Sequence, residues 1–265
     1  GDPGDNILLG AAEFVSLQGV TLRHLTGYEY VAADNEDDDD VRIEIFNDET
    51  IPFSQTDLQL LGSGDDDLLL GDAAFDNALD GKAGDDVLIG ASGEDSLIGG
   101  PGNDMLDGGD GSDRYVFNAG DGIDVISDSD RQGTDTLAFG AGIAPESLSL
   151  GTGSLLIRIG ASGDAVHVDG FDADDAGTGG AIERFEFADG TVLSQAQLVG
   201  RGFDLYGTDG DDTAFGTNLV DRFHESAGDD TLIGGVGHDI YYFDMGSEHD
   251  YVVDLDTVPD NFDTV

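Results

Sequence analysis

Large apolar residues recur along this chain at a spacing of nine. From Gly81 it reads GKAGDDVLI, GASGEDSLI, GGPGNDMLD and GGDGSDRYV, with Leu88, Leu97, Leu106 and Tyr115 each at the eighth place. Each apolar residue sits in a three-residue run that predicts a short strand with its central side chain turned inward. The six residues between runs have Gly at places one and four (Gly81, Gly84; Gly90, Gly93; Gly99, Gly102; Gly108, Gly111). Backbone with φ > 0 is cheap only for Gly, so each six-residue stretch predicts a sharp turn. Place six is always Asp: Asp86, Asp95, Asp104 and Asp113. A degenerate unit precedes the four around Asn77 and Leu79, and LGSGDDDLL before it carries Asp66 and Leu68.

The pattern returns in GTDGDDTAF, GTNLVDRFH, ESAGDDTLI and GGVGHDIYY, with Asp212, Asp221, Asp230 and Asp239 at place six. Leu219 stands where Gly is expected, Glu225 opens a unit, and Ala214 holds one apolar slot, so this tract is expected to be the weaker. A lone unit, GDPGDNILL, opens the chain with Asn6 at the acid place. A longer period lies over the short one. YVFNAGDGIDVISD from Tyr115 and YYFDMGSEHDYVVD from Tyr241 align at an offset of 126, whereas AGDD at Ala83 and at Ala227 are 144 apart. The difference, 18, is two nonapeptides. IFNDETIPFSQTDL from Ile45 resembles EFADGTVLSQAQL from Glu186, and DTL at Asp135 corresponds to DTV at Asp263. The chain opens at Gly1 without Met and reads as tandem modules cut from something longer.

Strand–turn units of nine imply an all-β fold, a parallel β-roll in which two units make one coil and loops stack on neighbours eighteen residues away. Loss of one whole coil leaves both faces in register, which suits the 18-residue difference. Composition then adds a difficulty. Asp and Glu number 58 against 9 Lys and Arg, a formal net charge of −49. That charge excludes nucleic acid and anionic membranes as partners and attracts cations. Acidity with 8% aromatics also suits disorder, but disorder does not hold Asp in a fixed register with Gly. Carboxylates in coils about 4.8 Å apart repel by roughly 3 kcal/mol per pair at an effective dielectric near 20. One inward residue in nine does not offset that repulsion together with the entropy of ordering so much Gly. A dication between loops reverses the sign. Ca²⁺ accepts six to eight carboxylate and carbonyl oxygens in flexible geometry, whereas Mg²⁺ is stricter and Zn²⁺ prefers His or Cys. There is no Cys, so neither disulfides nor thiolate sites are available.

With four units in phase, the sequence resembles the RTX (repeats-in-toxin) family of bacterial proteins exported by type I secretion. The resemblance implies that carbonyls of places one to four and the Asp of place six ligate calcium. In the first tract these are Gly81, Lys82, Ala83, Gly84 and Asp86; Gly90, Ala91, Ser92, Gly93 and Asp95; Gly99, Gly100, Pro101, Gly102 and Asp104; and Gly108, Gly109, Asp110, Gly111 and Asp113, with Asp66 ahead of them. In the second they are Gly207, Thr208, Asp209, Gly210 and Asp212; Gly216, Asn218 and Asp221; Ala227, Gly228 and Asp230; and Gly234, Gly235, Val236, Gly237 and Asp239. Facing loop pairs give roughly six ions. The stretch 147–198, with IERFEFADGTVL, resembles the β-rich domain that follows such repeats and caps the roll. Asp124, Asp128, Asp250 and Asp254 stand where a terminal calcium site would be completed, with solvated turn acids as the alternative.

The implied organisation is an isolated repeat at 1–10, a β flank at 11–60, a roll at 61–116, a cap at 117–204, a second roll at 205–242 and a truncated flank at 243–265. The run DNEDDDD at 34–40 reads as a solvated loop. Asp172, Asp174, Gly177 and Glu183 fall at EF-hand places, but Ala176 breaks the pattern and the flanks read as strand. His224-Glu225 lacks the second His of a zincin, Gly228 standing in its place, and no G-x-S-x-G occurs. The expectation is therefore a non-catalytic calcium-binding module of a secreted toxin or adhesin. The alternatives are the secretion tail of a hydrolase, or a calcium-dependent domain for a host or surface ligand. The secretion apparatus would be a transient partner, and no membrane insertion is expected.

Overall fold

The computed structural model describes residues 7–9, 16–17, 20–21, 57–128, 133–224, 227–243 and 249–254. The acidic run 34–40, most of the opening unit, the flank from Ile45 as far as residue 56, and Glu225 lie outside them. The architecture is an all-β parallel solenoid, the β-roll that the nine-residue period implies.

Three-residue strands at Val87–Ile89, Ser96–Ile98 and Met105–Asp107 alternate between two facing sheets. Pairing is parallel within each sheet, and Val87 lies beside Met105 while Tyr115 lies beside Leu97. Successive units therefore face each other, and every second one stacks. The place-eight residues form two files. Leu60, Leu79, Leu97, Tyr115, Leu137 and Phe185 follow one another in register through one sheet. Leu69, Leu88, Leu106, Ile126 and Val168 do so in the other. All of them are buried, and each buried side chain of this size stabilises the fold by about 1.5–3 kcal/mol.

The cap continues the roll. Thr136–Phe139 pairs in parallel with Arg114–Phe117 and then with Arg184–Phe187. In the other sheet Asp164–Val168 pairs in parallel with Ile123–Ile126, after which Leu155–Ile159 and Leu148–Gly151 turn antiparallel. The antiparallel strands end the solenoid. A short helix, Gln195–Val199, capped by Ser194, buries Leu198 and Val199 and leads to the second roll. There Phe203–Tyr206, Asp221–His224 and Ile240–Tyr242 form one three-stranded sheet, and Thr213–Phe215, Thr231–Gly235 and Tyr251–Asp254 the other. This roll is thinner, as its sequence implies. Ala214 sits in the interior file, and Phe215, Tyr206 and Tyr251 are exposed.

One register differs from expectation. The unit before Asn77 is displaced by one residue, so Leu69 rather than Leu68 enters the core. Asp67, not Asp66, takes place six: Asp67 is buried and Asp66 is exposed. An extra residue sets Asp67 and Asp86 nineteen apart.

Candidate metal centre

The place-six carboxylates form two columns through each roll, and their two oxygens have different environments. Oδ1 accepts the backbone N–H of the place-six residue one coil earlier. Asp86 N–H donates to Asp104 at 2.8 Å, Asp95 to Asp113 at 2.8 Å, Asp67 to Asp86 at 2.7 Å and Asp212 to Asp230 at 2.8 Å. Oδ2 of Asp86, Asp95, Asp104, Asp113 and Asp230 is buried with no hydrogen-bond partner. An unsatisfied buried acceptor is costly, and one that carries charge far more so. The ladder fixes each carboxylate and leaves its second oxygen for another ligand.

In the first roll that oxygen lies over the place-one glycine of its own unit. A Cβ built on Gly81 would stand 2.2 Å from Asp86 Oδ2 and 2.8 Å from the carbonyl oxygen of Gly99 in the next coil. On Gly90 it would stand 2.3 Å from Asp95 Oδ2 and 2.6 Å from the carbonyl of Gly108. Carboxylate and carbonyl oxygens thus converge on ground that only Gly leaves open. This donor set, all oxygen and partly anionic, fits a hard dication.

Burial pushes the carboxyls of the first roll up, with neighbouring carboxylates adding to the effect. Asp86 rises to about 6, Asp104 and Asp113 to about 7, and Asp124 to about 8. Asp95 also rises, though Asn77 hydrogen bonds oppose the shift. Each shift measures the cost of a charge held there without a cation.

Not every unit is open in this way. Asp67 Oδ2 accepts the Ser63 N–H at 2.5 Å, Asp212 Oδ2 the N–H and hydroxyl of Thr208, and Asp221 Oδ2 the N–H and hydroxyl of Thr217. The difference lies at place two. Lys82, Ala91, Gly100 and Gly109 have φ from 82° to 107°, whereas Ser63, Thr208 and Thr217 are not in that region. In the loops of Asp86, Asp95, Asp104 and Asp113, with φ > 0 at place two, Oδ2 keeps no partner; at Ser63, Thr208 and Thr217 the loop closes on its own acid. Asn77 is a third case. Its Nδ2 donates to Asp95 Oδ1 and to the carbonyls of Gly90 and Phe75 at 2.8–3.0 Å, supplying protons where other coils would share a cation.

The remaining predicted ligands fall as follows. Carbonyls of Pro101 and Asp110 accept the N–H groups of Gly84 and Gly93, and that of Ala91 accepts from Asp110, so these already serve the stack. Asn218 faces the cap: it donates its N–H to Ala173 and accepts from Ala176. Asp124 and Asp250 extend the two ladders, accepting from Asp104 and Asp230 at 3.1 and 3.0 Å. Two features were missed in the sequence. Place five carries a second ladder of opposite sense, in which Asp85 N–H donates to Asp66, Asn103 to Asp85, Glu94 to Asp76 and Asp229 to Asp211. Short acceptors at place five are its signal. Asp135, twenty-two residues beyond Asp113, accepts the Asp113 N–H at 2.7 Å as the next place-six acid would.

Family comparison agrees with this geometry. The model of the RTX calcium-binding nonapeptide repeat (4 copies) matches residues 80–115, 91–126 and 215–247. The chain carries RTX repeats. A second model, the haemolysin-type calcium binding protein related domain, matches residues 155–197, within the cap of the RTX roll. No curated protein matches the chain. The RTX repeats imply that the chain binds Ca²⁺.

Proposed function

We propose that this RTX chain is a calcium-driven folding module of a secreted bacterial toxin or adhesin, held unfolded by its own charge until it meets extracellular calcium. One observation carries the reading: columns of buried carboxylates in which Asp86, Asp95, Asp104, Asp113 and Asp230 each have one oxygen in the backbone ladder and the other unpaired. Low calcium inside the cell leaves the columns repulsive and the chain threadable through a type I secretion apparatus. Millimolar calcium outside closes the coils. The open loops, those of Asp86, Asp95, Asp104 and Asp230, hold the ions. No helix among the described residues is long and apolar enough to cross a membrane. The module performs no catalysis of its own, and any enzyme activity or host-surface ligand belongs to the parent protein.

Circular dichroism in EDTA, followed by calcium titration, tests the reading. The strand signal should appear with a midpoint of about 10⁻⁴–10⁻³ M, the range of extracellular calcium modules. A signal already complete in EDTA at neutral pH refutes it.

A further inference from the structure

The roll needs a device at the end where its nonapeptides stop. Three carboxylates meet there: Asp113, Asp128 and Asp135 are all buried, and one oxygen of each lies within 4.8 Å of the others. Only Asp113 belongs to a nonapeptide. Ile126 pairs with Leu106, so Asp128 falls level with Gly108, in the slot where another coil would place its first glycine. Asp135 comes from the loop that enters the cap.

A cluster of acids is not a site in itself; this one has an unsatisfied member. Asp113 Oδ2 is buried without a hydrogen-bond partner, in a residue only 1% exposed. It lies over Gly108, where a Cβ would stand 2.3 Å from it and 2.6 Å from the Tyr115 hydroxyl oxygen. That hydroxyl accepts the Gly108 N–H at 2.8 Å and donates to Asp128 Oδ2 at 2.7 Å. The unpaired oxygen is thus aimed at the ground between Tyr115 and Asp128, and the ladder bond from Asp113 N–H holds Asp135 alongside.

We propose that Asp113, Asp128 and Asp135 form a separate calcium site that ends the first roll and fastens it to the cap. The proposal rests on calcium binding in the loops and adds a site whose ligands are mainly outside the repeats. A donor set of carboxylates without imidazole or thiolate selects a hard dication. The link to the cap is direct: Asp135 N–H donates to Glu183 at 2.8 Å, and its carbonyl accepts from the N–H groups of Glu183 and Arg184 at 3.1 Å. An ion on Asp135 therefore also orders the strand Arg184–Phe187. The second module repeats the elements, Tyr241 and Asp254 standing 126 residues after Tyr115 and Asp128.

Calorimetric counting of bound calcium on the full chain tests this with two variants. Asp128→Asn keeps an acceptor for Tyr115 and should bind one ion fewer than the wild type. Asp104→Asn should also lose calcium, through the loop sites. If Asp128→Asn keeps the full count while Asp104→Asn loses ions, the terminal site is overturned and the loop reading stands. If Asp104→Asn loses none, the loop reading falls and takes this proposal with it. Should Asp128→Asn show no strand signal in saturating calcium, Asp135→Asn is counted instead, and a full count there overturns the site. Terbium gives a readout that leaves the carboxylates intact. The chain has no Trp, so emission from the bound ion is sensitised by tyrosine. Tyr115→Phe should lower that emission, and unchanged emission also overturns the site.

Discussion

Acid should substitute for calcium in this roll. In the fold Asp104 and Asp113 have carboxyl pKa values near 7 and Asp124 near 8, because burial disfavours their charge. In the unfolded chain each titrates near 3.9. A carboxyl with a raised folded value binds its proton more tightly in the native state, so ion-free stability falls as pH rises. The penalty is absent below about pH 4, grows between about pH 4 and 8, and is complete above. A rise of about three units corresponds to about 4 kcal/mol per group. Two or three such groups match the whole stability of an ordinary domain, roughly 5–15 kcal/mol. In EDTA at about pH 8 the strand signal in far-ultraviolet circular dichroism should therefore be absent, and it should grow as the pH is lowered towards about 5. In saturating calcium the signal should stay flat from about pH 6 to 8, because the ion replaces the proton. A complete signal in EDTA at pH 8, or no gain on acidification, refutes the argument.

Other substitutions probe other parts of the roll. Gly99→Ala would put a Cβ 2.1 Å from Asp104 Oδ2, and the calcium midpoint of folding should rise by about tenfold or more, the effect of losing about 1.4 kcal/mol of binding. Ala91 holds φ at 86° without being Gly, so Ala91→Gly should raise thermal stability in calcium by about 1 kcal/mol, and a fall in Tm would refute this. Leu97→Ala removes a fully buried member of one file and should cost about 2–5 kcal/mol in denaturant unfolding with calcium present. Asp212, closed on Thr208, should tolerate Asp212→Asn without losing a bound ion, in contrast to Asp104→Asn; equal losses would show that closed loops also bind.

Much of this was legible because the period of nine does the folding. Leu88, Leu97, Leu106 and Tyr115 could be placed in the core from spacing alone, and Asp86 with Asp104 and Asp95 with Asp113 in two columns. Where a residue is inserted, the period misleads: Asp66 reads as the ligand, but the extra residue before Asp86 gives that place to Asp67. Asp135 was missed for the same reason, since a longer loop hides its equivalence to a repeat acid. The closed loops were hidden differently. Ser63, Thr208 and Thr217 look like ordinary variable residues until their backbone angle decides whether Oδ2 keeps a partner.

Asn77 has a wider consequence. Its amide hydrogens reach Asp95 and the carbonyl of Gly90 directly, so that joint between coils closes with no metal at all. Among the described residues, the solenoid thus has seams that are indifferent to their surroundings, this one and the loops closed on Asp67, Asp212 and Asp221, next to seams that depend on them.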